Sequence, residues 1–266
     1  MVERPVESWS AEELKEFGML MRPSEGFLFL VTYGRSGSTL AQNLLNAIPG
    51  YCIRGENANA VYQICRMIDN FDREPNVQMR RDQLAGRGNL VPEIGQPTDP
   101  WYGLELVDID RMGLRFMNIF CREILNIPPR TRVAGFKEIR YLTDLNFVPA
   151  QLDIMTRYFP KARFLFLTRN NEEVADSAWW RNHDKEKLVP QLAKADRVFA
   201  DYAAGKPNCF MMDYTSFLGG PERLVPLFDW LGEKMDRAVV RAVLGRKLYH
   251  AKHLGAPRKP ADAAKP

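Results

Sequence analysis

Residues 27–48 read FLFLVTYGRSGSTLAQNLLNAI, and the fold follows from how this stretch is parsed. The run from Phe27 to Tyr33 is almost wholly apolar, whereas a strand with one wet face would alternate. It therefore predicts a strand covered on both faces, as in a parallel sheet. A Gly/Ser turn follows, and then Leu40, Leu44, Leu45 and Ile48 recur at helical spacing until Pro49 and Gly50 stop the helix. The unit is strand, loop, helix.

The same grammar returns at Arg163 to Thr168, RFLFLT, followed by RNNEEVADSAWWR. Here Asn170 or Asn171 is a candidate N-cap, and Glu172 and Glu173 fall in the first turn, where acidic residues favour a helix start. Val133 to Phe136 and Cys209 to Met212 read as two further short strands, with helices expected over Asp153 to Phe159 and Pro221 to Leu231. Alternating strands and helices predict an α/β fold, a single domain with a central parallel sheet flanked by helices. The domain is expected over 1–254, and the tail from Gly255, GAPRKPADAAKP, has the composition of a disordered end over 255–266. Between Gly86 and Gly103 glycines and prolines crowd a stretch without periodicity, of the kind that carries function.

Composition narrows the classes. The chain has 266 residues, 45% hydrophobic and 26% charged, which fits a globular domain and excludes collagen-like or disordered readings. Lys plus Arg number 37 against 33 for Asp plus Glu; a net charge of +4 suits an anionic ligand and is too diffuse to argue for nucleic acid. The longest apolar run falls far short of the ~20 residues of a membrane span. Glu3, Glu7, Glu12 and Glu13 stand where a signal peptide needs basic residues, so a cytoplasmic protein is expected. Cys52, Cys65, Cys121 and Cys209 are widely spaced and only three histidines are present, so no metal site and no disulfide framework are expected.

The loop Gly34, Arg35, Ser36, Gly37, Ser38, Thr39 joins a buried strand to a helix start, where backbone N–H groups, the helix dipole and hydroxyls converge on a place for an anion. A Walker A loop needs Lys after its last glycine; here Ser38 follows Gly37 and the cation has moved ahead to Arg35. In the second unit Arg169 ends the strand and Ser177 lies eight positions on. In a continuous helix that is ~2.2 turns, so both would face one anion. The competing reading pairs Arg169 with Glu172 or Glu173.

Together, YGRSGSTL and LFLTRNNEEVADS resemble the sulfotransferase family, which takes 3′-phosphoadenosine 5′-phosphosulfate as donor. The resemblance implies a P-loop, nucleotide-kinase-like fold, with the first motif as the 5′-phosphosulfate loop and Arg169 and Ser177 as the 3′-phosphate site. MMDYTSFLGGPERLVPLFDWLG looks like the family's later strand and helix, with Tyr214 near the nucleotide. Arg246 and Lys247 stand where relatives close a segment over the 3′-phosphate.

Sulfuryl transfer is in-line, so it asks for positioning, charge stabilisation and a base. Arg35 suits the departing 5′-phosphate and Lys137 the sulfuryl oxygens, unless Lys137 pairs with Glu138. Glu56, in IRGEN, resembles the base segment of tyrosylprotein sulfotransferases, with a salt bridge to Arg54 as the bland alternative; His183 is the other base candidate. The expected partner is a hydroxyl-bearing acceptor, a carbohydrate or glycolipid, facing Asn57 to Arg81 and the Gly86 to Gly103 stretch with Trp101 and Tyr102. A peptide tyrosine or a phenol stays open, as does a homo-oligomer. Outside the resemblance stand a kinase-like phosphotransferase and a non-catalytic nucleotide- or glycan-binding protein.

Overall fold

The computed structural model describes residues 10–88 and 91–246. The expected tail, 255–266, and Lys247 lie outside them. In chain order the elements are α1 (Ala11–Glu16), β1 (Phe27–Val31), α2 (Ser38–Asn46), β2 (Tyr51–Arg54), α3 (Ala60–Arg73), α4 (Pro75–Leu84) and α5 (Ile109–Ile119). Then follow β3 (Val133–Glu138), α6 (Val148–Tyr158), β4 (Arg163–Thr168), α7 (Asn171–Ala175), α8 (Lys185–Ala203), β5 (Cys209–Asp213), α9 (Val225–Leu231) and α10 (Arg237–Leu244).

The five strands form one wholly parallel sheet in the order β2-β3-β1-β4-β5. All five residues of β1 are buried, because helices cover both faces. Phe27, Phe29 and Val31 pack with α3, α5, α6 and α8 through Val61, Met117, Leu152 and Phe199. Leu28 and Leu30 point the other way, toward Ala41 and Leu44 of α2, Phe228 of α9 and Val240 of α10. Phe29 sits amid the rings of Phe136, Phe159 and Phe164 at centroid distances of 5.0, 4.9 and 5.7 Å. This aromatic cluster is the centre of the larger core.

The parallel α/β expectation holds, with differences at the edges. Tyr51–Arg54 is a strand that the sequence reading left out; it is short, and half of it faces away from the core. The helix expected at Asp153 begins earlier, at Val148, with a proline in its first turn. The segment expected as one helix from Pro221 is a 3-10 turn, Pro221–Leu224, that runs into α9. Among the described residues no helix is long and apolar enough to cross a membrane.

Strand order places the site. Chain leaving β1 turns toward β2, and chain leaving β4 turns toward β5, so the two loops diverge over the β1/β4 crevice. Ligands of open parallel sheets bind at such a divergence, beyond the carboxyl ends of the strands.

Candidate active site

The carboxyl ends of all five strands carry nominated residues: Arg35 after β1, Glu56 after β2, Lys137 within the last turn of β3, Arg169 and Ser177 after β4, and Tyr214 after β5. One edge of one sheet therefore collects residues spread over 180 positions (Arg35 to Tyr214, 214 − 35 + 1 = 180) of the sequence.

The loop after β1 is tied down at several polar atoms. The Thr32 hydroxyl donates to the Leu167 carbonyl at 2.6 Å and lies 2.7 Å from the Ser36 hydroxyl, itself fully buried. The indole N–H of Trp180 donates to the Gly34 carbonyl at 3.1 Å, and a Cβ on Gly34 would come within 2.9 Å of Trp179. Gly37 adopts φ +94 as the residue that opens α2, and a Cβ there would collide with the Tyr214 ring. Only glycine meets both conditions. The helix start has no side-chain cap, so its N–H groups face the crevice with Ser38 and Thr39 beside them.

Arg35 and the β4 loop meet directly. Arg35 Nε donates to Ser177 Oγ at 3.0 Å, with its guanidinium 5.7 Å from the Trp179 ring centroid. Arg169 Nη1 donates to the Arg35 carbonyl at 3.2 Å, and the Arg169 guanidinium lies 4.3 Å over the Tyr214 ring. Arg169 also pairs with Glu173 at 2.9 Å, the competing partner that the sequence offered, while it reaches the Arg35 carbonyl. Beneath them the Tyr33 hydroxyl accepts the Arg169 N–H at 3.0 Å and donates to Asp196 at 2.9 Å.

One expectation fails in detail. Ser177 is not two turns into a helix: α7 ends at Ala175, Ser177 is extended at φ −105 and ψ 132, and Ala178 is left-handed at φ +50. The break lets Trp179 and Trp180 turn back onto the Gly34 loop, a tertiary contact that outweighs the helical propensity of EEVADS. Ser177 still reaches the crevice, by a turn instead of a helix face.

The second cluster sits over β2 and β3. Lys137 Nζ and Glu56 Oε1 form an ion pair at 2.6 Å, with the lysine nearly buried and the carboxylate one-third exposed. This replaces both alternative pairings. Glu138 accepts backbone N–H groups of Asn57, Asn59 and Ile139, and Arg54 donates to the carbonyls of Leu125 and Asn126. The Lys137–Glu56 contact had no sequence signal, because it depends on β2 lying beside β3 in parallel, Arg54 opposite Phe136.

His183 makes its contacts within its own segment: its Nδ1 lies 3.2 Å from the Trp179 carbonyl and its ring packs on Trp180. Arg246 is exposed just past the end of α10. Trp101 and Tyr102 are exposed, but their segment is anchored to α4, where Asp99 forms a buried ion pair with Arg80 and accepts the Trp101 N–H. A groove of 440 Å³ is lined by Arg81 and Arg87, from the two segments expected to face the acceptor, together with Leu84, Glu105, Leu106 and Asp108; it holds none of the expected catalytic or donor-binding residues.

No curated protein matches the chain. The sulfotransferase domain of the Synechococcus PCC 7002 olefin synthase is 19% identical, with 80% of this chain and 75% of that one covered and a TM-score of 0.49. The sulfotransferase domain from the curacin biosynthetic pathway is 15% identical, with 85% and 81% covered and a TM-score of 0.49. The sulfotransferase STF9 of Mycobacterium avium is 16% identical, with 88% and 70% covered and a TM-score of 0.43. Residues 28–236, which run from β1 to the residue before α10 and enclose the loops after β1 and β4, match the sequence model of the sulfotransferase family, and the chain belongs to that family.

Proposed function

We propose that this enzyme transfers the sulfuryl group of 3′-phosphoadenosine 5′-phosphosulfate to a hydroxyl of a carbohydrate or glycolipid. The observation that carries the reading is the junction over the β1/β4 crevice, where Arg35 of one anion loop bonds Ser177 of the other and Arg169 bonds the Arg35 backbone. Two cations and two helix or turn starts face one space, which suits a ligand with two separate phosphate groups. Arg169 and Ser177 take the 3′-phosphate, with Tyr214 backing Arg169. Residues 34–39 hold the 5′-phosphosulfate. Arg246 and Lys247 are assigned to the 3′-phosphate side on the family resemblance alone.

The chemistry balances on this chain's own groups. The acceptor oxygen attacks sulfur as the bond from sulfur to the 5′-phosphate oxygen breaks, and the electron pair leaves with the phosphate. Arg35 stabilises that departing charge electrostatically, since a guanidinium does not give up a proton. Glu56 takes the acceptor proton. Its proton transfer dissolves the ion pair with Lys137, which frees the ammonium for the sulfuryl oxygens at the moment they carry most charge.

Calorimetric titration tests the donor. 3′,5′-Diphosphoadenosine is expected to bind about 10–100-fold tighter than 5′-AMP, the worth of one set of charge-assisted bonds to the 3′-phosphate. Preference for Mg²⁺-ATP would sink the reading in favour of a phosphotransferase. A labelled-sulfate screen of glycans, glycolipids, tyrosine peptides and phenols then assigns the acceptor; transfer only to phenols or tyrosine would overturn the carbohydrate assignment.

A further inference from the structure

Glu138 is a buried carboxylate, 1% exposed, and among the described residues its hydrogen-bond partners are backbone N–H groups rather than cations. A charge so placed must be satisfied by other means. Its Oε2 accepts the N–H of Asn57 at 3.2 Å and of Asn59 at 3.1 Å, and its Oε1 accepts the N–H of Ile139 at 2.9 Å. Asn59 opens α3, a helix of 14 residues, and gives it no side-chain cap because its own backbone is left-handed at φ +61. The N–H of Ala60, the first residue of the helix, goes to Asn57 Oδ1 at 2.9 Å, and Glu138, from a different element, takes the Asn57 and Asn59 N–H groups just ahead of it, at the positive end of the helix dipole.

The segment it grips is the one that carries Glu56. Between β2 and α3 the chain turns through Ala58 at φ +58 and Asn59 at φ +61, two successive non-glycine residues in a region that ordinarily costs about 1–2 kcal/mol each. The carboxylate bonds on either side of Ala58 hold that turn shut. Period-two alternation along β3 sends Phe136 and Glu138 toward the α3 face and Lys137 to the opposite one. Neighbouring residues of one strand thus hold the same turn twice, Lys137 by the Glu56 side chain and Glu138 by the backbone.

We infer that Glu138 is a positioning residue that fixes the Glu56 turn over the sheet edge, so that Glu56 meets the acceptor proton. The inference rests on the reading of Glu56 as the base. Residue-resolved amide exchange of the intact chain tests the clamp without any acceptor. In the wild type the Asn57 and Asn59 amides are expected to exchange at least tenfold more slowly than that of Ala58; equal rates overturn the clamp, whatever becomes of the variants. In Glu138→Gln both amides speed up tenfold or more, while affinity for 3′,5′-diphosphoadenosine stays within twofold, because the donor loops hang from β1 and β4.

Turnover separates positioning from mere support. Sulfate transfer to a 4-nitrophenyl glycoside, or release of inorganic sulfate into water where that acceptor is refused, is expected to fall ten- to a hundredfold in kcat in Glu138→Gln with donor KM unchanged. The double variant Glu56→Gln/Glu138→Gln should be no slower than Glu56→Gln alone; losses that multiply would overturn the inference. If Glu56→Gln keeps wild-type turnover, the base assignment fails, and the exchange rates still judge the clamp.

Discussion

Arg35 occupies a left-handed backbone at φ +71, a conformation usually left to glycine, in the middle of the loop after β1. Strain of that kind persists where surrounding contacts over-determine it, and here they do: Nε on Ser177, the guanidinium beside Trp179, and the carbonyl under Arg169. Under the proposed function, the Ser177 contact joins the loop cation to the hydroxyl assigned to the 3′-phosphate. Arg35→Ala is expected to lower turnover by about 10²–10³-fold, the scale of one lost transition-state donor, while thermal unfolding shifts little. A variant that keeps a tenth of wild-type activity would remove Arg35 from the chemistry. The type of residue at this position was readable from YGRSGST, and so was Arg169. That Lys137 would find Glu56 was not, because no local spacing links residues 81 apart (137 − 56 = 81).

At the scale of elements, the unit from β1 to α2 turns on Gly37, which needs both a positive φ and room for the Tyr214 ring. Gly37→Ala is expected to cost about 1–3 kcal/mol of stability, read by urea unfolding, from backbone strain alone. It should also weaken diphosphoadenosine binding about tenfold, since the displaced Tyr214 no longer backs Arg169. Wild-type affinity in that variant would separate Tyr214 from the donor site. β1 and β4 were legible because strands buried on both faces are written as unbroken apolar runs. β2 was not: YCIR is four residues at the sheet's edge, its second and fourth side chains turn away from the core, and nothing in its composition separates it from a loop. The end of α7 was misread for another reason. Its stop is set by two tryptophans that pack on a loop 140-odd residues earlier, as Trp180 does on Gly34 (180 − 34 = 146).

Across the whole molecule, Tyr33 joins three elements: it follows β1, accepts the Arg169 N–H after β4, and donates to Asp196 of α8. Burial pushes the Tyr33 hydroxyl pKa upward, so it remains a donor at any ordinary pH. Burial likewise raises Asp196 above its usual 3.8, against the hydrogen bonds from Asn171 and Tyr33 that favour its charge. A carboxyl raised on folding contributes stability fully below its unfolded pKa, and that contribution is lost as pH climbs through the folded value. Asp196→Asn should therefore gain stability relative to wild type as pH rises from 3.8 through the carboxylate range, and level off above it. Urea unfolding at acid and neutral pH checks this; a flat difference would mean that the carboxylate is not desolvated.

The strand order has a further result for how the chain is made. β1 lies in the middle of the sheet, yet both its neighbours, β3 and β4, come roughly a hundred residues or more later, which at about 5–20 residues per second is some 5–20 s of translation. For that interval the nascent chain carries FLFLV with both edges unclaimed and its faces met only by the helices made soon after it, a segment suited to non-native pairing between polypeptides on neighbouring ribosomes. Yield in cells should thus depend on holdase chaperones and on growth temperature more steeply than the stability of the finished sheet would suggest.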